Sequence, residues 1–243
     1  MSKIAVNATE TNGSNRAEYV SRMFGRIAPR YDLMNSLMTL GQDRRWRRLT
    51  AALATPRPGG MALDLGTGSG ELAFDMAARG NRVVAMDFCQ PMMDVARQKV
   101  VNKKGSRVYL VSGDALSLPF PGATFNAITA GFAFRNFADL ARALDETLRV
   151  LKPGGRLAVL ELTPPRTGLA RLLHGLYSHR FVPLLGRLIS GDSAAYTYLP
   201  NSVDHFPDAE TLRQAMVSAG FRKVSFRRLG LGMVAIHLAE KGT

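Results

Sequence analysis

A buried-strand pattern in the sequence ends in a glycine-rich turn that leads into a helix pattern. Residues 61–65 are apolar apart from one acid, Gly66, Gly68 and Gly70 alternate with Thr and Ser, and helical spacing of apolar residues begins at Leu72. Because glycine lacks a Cβ, the backbone can turn sharply here and approach a bound molecule, while the first N–H groups of the helix have no intrahelical partner. The pattern predicts a ligand-binding turn; a purely structural turn fits the motif alone equally well.

The spacing of these glycines distinguishes between nucleotide ligands. The dinucleotide pattern Gly-x-Gly-x-x-Gly requires its third glycine one position later, where this chain has Glu71. A carboxylate there would repel a pyrophosphate and suit a cationic ligand. Residues 82–87 read as a second strand whose last residue, Asp87, is placed to accept hydrogen bonds from ribose hydroxyls. Both features favour S-adenosylmethionine, a nucleoside with a sulfonium cation, over a nicotinamide dinucleotide.

Strand and helix patterns alternate along most of the chain. Helix patterns at 90–101 and 140–151 separate further strand patterns at 107–111, 125–130 and 156–161. This alternation predicts an α/β, Rossmann-like fold with a mostly parallel seven-stranded sheet, helices on both faces and ligands beyond the carboxyl ends of the strands. Two closing strand patterns, at 223–228 and 233–239, predict an antiparallel pair at one edge.

The chain is long enough for one domain with a complete core, since it has 243 residues of which 46% are hydrophobic. Residues 1–15 have no apolar run and are predicted to be a disordered tail, and residues 16–243 to be a single domain. Residues 168–200 interrupt the alternation with an apolar stripe. That stripe fits a core-packing helix or an amphipathic lid over the active site.

Charge and cysteine content narrow the function classes only partly. The net charge of +13 fits a nucleic acid, an anionic membrane or an acidic partner, and it also fits a basic surface that serves solubility alone. Cys89 is the single cysteine, which excludes an internal disulfide and is typical of a reducing cytoplasm. The four histidines have no metal-binding spacing, so we expect no metal.

Polar residues follow three of the predicted strands at their carboxyl ends. Asp87 ends the second strand, Asp114 comes shortly after the third, and Arg135 follows the fourth. Parallel strands have their carboxyl ends at one edge of a sheet, so we expect these groups to face one crevice. An acid after the third strand can accept a hydrogen bond from an adenine amino group, although an ordinary turn aspartate fits Asp114 equally well.

Longer motifs of the chain resemble those of one family. They are Met23-Phe-x-x-Ile-Ala-x-x-Tyr31-Asp-x-Met-Asn35, Trp46-Arg, Leu63-Asp-Leu-Gly-Thr-Gly-Ser-Gly, Phe132-Ala-Phe-Arg135-Asn136, Leu151-Lys-Pro-Gly-Gly-Arg and Tyr198-Leu-Pro-x-Ser202. Over about residues 19–238 the chain resembles the ubiquinone/menaquinone biosynthesis C-methyltransferases, which are class I S-adenosylmethionine enzymes. Many methyltransferases share the glycine and Lys-Pro-Gly-Gly motifs; the remaining segments are more specific.

The resemblance implies roles for particular residues. Together with Gly66 and Gly68 of the turn, the cofactor-binding residues are expected to be Ser69, Asp87, Asp114, Ala115 and Gly131. Relatives often have Asn at the position of Asp114, and an acid can still accept from the adenine amine. Relatives place Tyr31, Arg135 and Asn136 around the quinol, and these three are the expected catalytic residues.

The resemblance also implies a reaction and its partners. It implies methyl transfer from S-adenosylmethionine to a ring carbon of a reduced polyprenyl quinone, 2-demethylmenaquinol, or else to the benzoquinol precursor of ubiquinone. Such a substrate implies a cytoplasmic protein in peripheral contact with an anionic membrane, with no nucleic-acid partner, and leaves a homodimer open. Two rival functions are an RNA methyltransferase, which the charge permits, and a non-catalytic scaffold that retains the fold.

Overall fold

The computed structural model describes residues 13–103, 105–164, 198 and 202–243, with side chains from residue 18 onward. Residues 1–12 of the predicted tail lie outside this description, and so does the predicted lid at 168–200 except for Tyr198. The first helix, α1 (Gly13–Ile27), already includes the last three residues of that predicted tail.

Three helices precede the sheet. After α1, Pro29 lies in a 3₁₀ turn that leads into α2 (Tyr31–Met38), and a tight turn then leads into α3 (Gln42–Ala54). Proline has no N–H to donate and clashes with the preceding helical turn, so α1 ends before Pro29. The turn between α2 and α3 contains Leu40 and Gly41, both with positive φ angles of 52° and 74°.

In the described residues, one sheet contains seven strands. They are β1 (Met61–Leu65), β2 (Arg82–Asp87), β3 (Val108–Ser112), β4 (Phe125–Gly131), β5 (Leu151–Leu162), β6 (Phe221–Leu229) and β7 (Val234–Lys241). Their order is β3-β2-β1-β4-β5-β7-β6, and all are parallel except β7, which is antiparallel to both of its neighbours. The predicted mostly parallel sheet and its antiparallel edge pair are confirmed.

Helices α4 (Glu71–Ala78), α5 (Gln90–Asn102), α6 (Leu140–Val150) and α7 (Ala209–Ser218) connect the strands. Their starts follow local signals in the sequence: Asp139 and Asp208 accept backbone N–H groups of the first turns of α6 and α7, and Pro91 lies in the first turn of α5. The two closing strands, predicted at 223–228 and 233–239, begin and end within two residues of the predicted positions.

Strand β5 differs from its prediction at its start. The sequence predicts that helix α6 ends at the Lys-Pro-Gly-Gly tetrad and that a strand follows from Arg156, whereas the strand begins at Leu151 and includes the tetrad. Pairing with β4 shifts register between Phe125 and Ala127, so the tetrad forms a bulge. Gly155 permits it, because a Cβ there would lie 2.6 Å from Leu151 Cδ2.

The core consists of two layers, one on each face of the sheet. One layer contains Leu63, Leu65 and Phe125 together with residues of α6 and α7, and the other contains Ala62, Leu72 and residues of α3. Neighbouring residues of β1 thus point to opposite faces, as the period of two in a strand requires. Both faces are covered, which leaves the edge formed by the carboxyl ends of the strands available for a ligand.

Helix α3 runs antiparallel to β5. Trp46 in the first turns of α3 packs against Leu160 near the carboxyl end of β5. Near the end of α3, the carbonyl oxygen of Leu53 accepts a 3.4 Å hydrogen bond from Nη1 of Arg156, which precedes Leu160 in β5. The turn between α2 and α3 therefore lies at the same sheet edge as the predicted ligand site. Among the described helices, none has the length and apolar content needed to cross a bilayer.

Candidate active site

The glycine turn after β1 has the strained backbone that its sequence predicts. Gly66, Gly68 and Gly70 have φ angles of 64°, 55° and 86°, a region that side chains with a Cβ rarely adopt. A Cβ on Gly66 would also lie 2.6 Å from the Cβ of Ala133, which follows β4. Glycine is therefore required at this position by both backbone conformation and packing.

Asp87 at the end of β2 is bonded to this turn. Its Oδ2 accepts the N–H of Gly68 at 2.7 Å, and its Oδ1 accepts the N–H of Cys89 at 2.9 Å. Burial raises the pKa of the Asp87 carboxyl, and these backbone N–H groups oppose that rise. The carboxylate is thus held rigidly between the ends of β1 and β2, and each oxygen retains a second lone pair with which it can accept from a hydroxyl.

The segment after β3 lies beside Asp87. Gly113 donates its N–H to the carbonyl oxygen of Asp87 at 3.1 Å, and the next two residues are Asp114 and Ala115. Ala115 is buried, whereas Asp114 is exposed and its Oδ1 accepts the N–H of Leu116 at 2.9 Å. Both predicted residues are therefore near the ends of β2 and β3, and the carboxylate of Asp114 also serves a local turn.

A buried ion pair follows β4. Arg135 Nη1 lies 2.6 Å from Oε1 of Glu161 and donates to the carbonyl oxygen of Phe132 at 2.6 Å. The side chains are 5% and 1% exposed, so the attraction acts with little screening. Gly131 ends β4 directly before this segment.

Glu161 was not among the residues predicted from the sequence. Its signal was present, because it is an acid near the carboxyl end of the apolar strand β5. The pair changes the expected role of Arg135. A cation paired with a buried carboxylate acts as an oriented dipole, so its field on a ring hydroxyl is weaker than that of an isolated charge.

Tyr31 lies beside the glycine turn, and Asn136 follows Arg135 in the segment after β4. The aromatic ring of Tyr31 packs edge-on against Phe24 with centroids 5.8 Å apart, and its Cε1 lies 4.0 Å from the ideal Cβ position of Gly68. Asn136 accepts a hydrogen bond from the hydroxyl of Tyr198 at 3.2 Å. Burial raises the pKa of Tyr31, and the charge of Arg135 is one of the influences that lower it, so these two predicted residues are within electrostatic reach.

A polar cluster that the sequence did not predict joins the N-terminal helices to the glycine turn. Ser69 donates its hydroxyl to Asp32 Oδ1 at 2.5 Å, and Lys99 Nζ lies 2.5 Å from Asp32 Oδ2 and 2.6 Å from Glu71 Oε1. Helix α2 is thereby tied to α4 and α5. Because Lys99 already compensates Glu71, this carboxylate attracts a cationic ligand less strongly than its sequence position suggested.

Asp64 of β1 lies beneath the turn with its carboxylate buried. Oδ1 accepts the hydroxyl of Thr129 and Oδ2 that of Thr67, each at 2.6 Å. The pKa of Asp64 is raised to about 6, mainly by burial and with a smaller contribution from the nearby Asp87, despite these hydrogen bonds. Asp64 thus holds the strand ends of β1 and β4 and the turn together.

We expect Asp64→Asn to become increasingly stable relative to the wild type as pH rises from about 4 to 7. The folded-state pKa is raised from 3.8 to about 6, so between these values the folded wild type binds more protons than the unfolded chain and loses stability as pH rises. Asparagine lacks this ionisation and can still bond both threonines. The difference in unfolding free energy should grow by about 2–3 kcal/mol, measured by urea denaturation at both pH values; a constant difference would contradict the raised pKa.

In the described part of the chain, no group of three or more His, Cys, Asp or Glu residues is arranged so that it could hold a metal ion.

Comparison of the sequence with known proteins identifies its relatives. The model of the ubiE/COQ5 methyltransferase family matches residues 11–241. The chain is 48% identical to demethylmenaquinone methyltransferase of Thermus thermophilus over 221 residues, which cover 90% of this chain and 100% of that protein. It is 40% identical to ubiquinone/menaquinone biosynthesis C-methyltransferase UbiE of Ectopseudomonas mendocina over 232 residues, 94% of this chain and 91% of that protein.

Solved structures show the same fold at lower sequence identity. The [4+2]-cyclase SpnF superposes with a TM-score of 0.69 at 19% identity, covering 92% of this chain and 95% of that one. Phosphoethanolamine N-methyltransferase 2 of Haemonchus contortus, in complex with S-adenosyl-L-methionine, has a TM-score of 0.62 at 15% identity and covers 81% of this chain and 52% of that one. These similarities support the fold alone. The family match over nearly the whole length, together with the full-length relatives, shows that the chain belongs to the ubiE/COQ5 methyltransferase family.

Proposed function

We propose that this protein transfers a methyl group from S-adenosylmethionine to a ring carbon of 2-demethylmenaquinol, forming menaquinol. The observation that carries the proposal is the 48% identity to a demethylmenaquinone methyltransferase along that protein's entire length. A relative of the same name in Roseiflexus castenholzii is 47% identical over 228 residues. The polar groups around the ends of β1, β2 and β4 are compatible with this chemistry.

S-adenosylmethionine is the methyl donor, and when bound it supplies a methyl group made electrophilic by a sulfonium. The site fits the donor in two respects. Asp87 is a rigid acceptor pair suited to a ribose diol, and Gly68 presents a surface without a side chain next to it. We assign donor binding to residues at the ends of the first four strands. They are Gly66, Gly68 and Ser69 after β1, Asp87 at the end of β2, Asp114 and Ala115 after β3, and Gly131 at the end of β4.

The acceptor ring must be electron-rich, which requires one of its hydroxyl groups to ionise. A phenolic hydroxyl has a pKa near ~10, so at neutral pH the site has to favour the anion. Burial alone disfavours such an anion here, since it raises the pKa of the Tyr31 phenol overall, and the charge of Arg135 is one of the influences that act in the opposite direction. A quinol hydroxyl beside the same guanidinium would gain the same favourable interaction.

We assign to Arg135 the stabilisation of the ring anion. A guanidinium stays protonated at neutral pH and cannot serve as the base. Glu161 and the carbonyl oxygen of Phe132 both bond its Nη1, and they set the orientation of the guanidinium. Tyr31 and Asn136 orient the hydroxyl, and a water molecule accepts its proton.

The benzoquinol precursor of ubiquinone is the second candidate substrate. The observation in its favour is the 40% identity to a relative whose name covers both ubiquinone and menaquinone biosynthesis. The two quinols differ in their rings and substituents, and the higher identities are to proteins named for menaquinone alone.

A turnover assay with both quinols and labelled S-adenosylmethionine tests the assignment. We expect methylation of demethylmenaquinol at least tenfold faster than that of the benzoquinol, and none of the oxidised quinones, because a quinone has no hydroxyl to ionise. Faster methylation of the benzoquinol would assign the protein to ubiquinone synthesis. No turnover with either quinol would contradict the proposed function.

The substrate also supports a location for the protein. A polyprenyl quinol resides in the bilayer, and a chain with a net charge of +13 is attracted to anionic lipids. We therefore assign it to peripheral contact with the cytoplasmic face of the membrane.

A further inference from the structure

Helix α2 is apolar on two sides, and only one of them is used by the core. Met34 is buried among residues of α1, including Met23. Leu33 and Leu37, one turn apart, are 55% and 42% exposed, and Leu40 in the turn that follows is 87% exposed. Residues four apart share a helix face, so these leucines form one apolar strip that faces solvent.

The conformation of Leu40 makes its exposure more unusual. Its φ angle is +52°, in the left-handed region where leucine is disfavoured relative to glycine or asparagine. Leu231 has the same combination, with a φ angle of +56° and 86% exposure. It follows Gly230, whose ideal Cβ position lies 3.0 Å from Cζ2 of Trp46 in α3. Neither leucine contributes a buried side chain, and each holds a backbone conformation that another residue would adopt more easily.

Basic residues lie next to this strip. Arg44 and Arg45 are exposed in the first turn of α3, only four and five residues after Leu40. The neighbouring acid, Asp43, is buried and is bonded instead to Arg47 at 2.7 Å. Within the described ranges, no carboxylate forms an ion pair with Arg44 or Arg45. Exposed leucines bordered by uncompensated arginines form a surface that is complementary to an anionic lipid interface.

We infer that Leu33, Leu37, Leu40, Arg44 and Arg45 form a docking face that binds an anionic lipid bilayer. The inference rests on the proposed function, since it concerns how the site reaches a bilayer-resident quinol. The leucines enter the boundary between headgroups and acyl chains, and the arginines contact lipid phosphates.

The location of the docking face supports this occupant. The turn with Leu40 lies at the carboxyl edge of the sheet, because α3 runs antiparallel to β5. Trp46 packs there with Phe132, whose carbonyl oxygen is bonded to Arg135. Docking through this face would therefore bring the ring site close to the membrane, and a prenyl tail could stay among the lipids while the ring is methylated.

Sedimentation of the full-length protein with vesicles of equal parts phosphatidylcholine and phosphatidylglycerol tests the docking face. We expect Arg44→Gln/Arg45→Gln to weaken binding about 30-fold at low salt, about fivefold for each arginine, with a smaller loss at high salt. A variant with Leu33→Gln, Leu37→Gln and Leu40→Asn should weaken binding at least tenfold at every salt concentration. Leu40→Asn alone should weaken binding while leaving thermal unfolding unchanged or raising its midpoint, which separates docking from folding.

Matched controls lie at the opposite edge of the sheet. Arg82→Gln/Arg107→Gln removes the same charge from the starts of β2 and β3, and Val101→Gln/Val217→Gln removes exposed apolar residues near the ends of α5 and α7. Both should leave vesicle binding within about twofold of the wild type, since these residues face away from the docked membrane. If the controls and the docking variants lose vesicle binding equally, net charge or hydrophobicity alone explains the binding, and the inference is overturned.

Activity measurements separate this inference from the proposed function. Docking variants should methylate a prenylated quinol in vesicles at least tenfold more slowly, yet methylate a tailless quinol in solution at the wild-type rate. If the docking variants bind vesicles and turn over the prenylated quinol like the wild type, the docking face alone is overturned. If the wild-type protein binds vesicles but methylates no quinol, the proposed function alone is overturned. If the wild type is a dimer and the leucine changes dissociate it, the face belongs to a second copy of the chain. If the wild type binds RNA and the arginine changes abolish that binding, the face belongs to RNA. Either result would overturn the lipid assignment.

Discussion

Arg135→Ala is expected to lower the turnover of quinol by about 10²-fold or more, while the affinity for S-adenosylmethionine stays within about threefold of the wild type. The magnitude follows from the loss of one group that stabilises a developing or bound oxyanion. The affinity should persist because Arg135 bonds Glu161 and Phe132 rather than the glycine turn. Single-turnover kinetics with labelled donor and calorimetric donor binding measure the two effects.

Arg135→Ala should also destabilise the fold. A second variant is therefore needed to separate a loss of catalysis from a loss of stability. Alanine leaves Glu161, which is 1% exposed, as a buried carboxylate without its cation, at a cost of about 3–5 kcal/mol. Replacing both members, as in Arg135→Met/Glu161→Leu, removes the unpaired charge and should recover most of that stability. The double variant should still turn over at least about 10²-fold more slowly; normal turnover in the refolded double variant would eliminate the catalytic role of Arg135.

Arg156 provides the matched control for this experiment. It lies on the same strand as Glu161, five residues earlier, and its partly exposed side chain pairs with Glu240 at 3.0 Å. Arg156→Ala removes an equal charge far from the ring site, so turnover should change less than about twofold. Its effect on stability should stay below about 1 kcal/mol, because partly exposed ion pairs are weak.

Asp87→Ala is expected to weaken the binding of S-adenosylmethionine by about 30- to 100-fold in calorimetry. The change removes hydrogen bonds to two ribose hydroxyls, and a typical hydrogen bond contributes about 1–1.5 kcal/mol, so the two together contribute about 2–3 kcal/mol. It also removes the acceptor that bonds the N–H of Gly68. Turnover at saturating donor should fall much less than affinity.

Two further aspartate variants sharpen this result. Asp87→Asn retains one acceptor oxygen and should fall between alanine and the wild type. Asp114→Ala should weaken donor binding by less than about fivefold, because an exposed carboxylate gains less from one neutral hydrogen bond. If Asp87→Ala leaves the affinity for S-adenosylmethionine unchanged, Asp87 does not belong to the donor site. If Asp114→Ala weakens donor binding more than Asp87→Ala does, Asp114 is the more important of the two carboxylates.

Local sequence pattern was sufficient to predict the α/β sheet and the edge where its polar residues gather. Strand periodicity, helix starts at Pro91 and Asp139, and glycines with positive φ angles are short-range signals that act within a few residues. Helical crossovers then join the strands in parallel, which places their carboxyl ends at one edge. Asp87 could therefore be predicted next to the glycine turn, and the structure has it bonded to Gly68.

Only the packing of distant segments determined which polar groups pair. Glu161 meets Arg135 from 26 residues away, and Lys99 reaches Asp32 across 67 residues. No local pattern encodes such pairs, because the first depends on β4 pairing with β5 and the second on how helices α2 and α5 pack together. The exposed face of α2 has the same origin: periodicity identifies its apolar positions, and tertiary contacts alone decide that the core takes Met34 and leaves Leu33 and Leu37 at the surface.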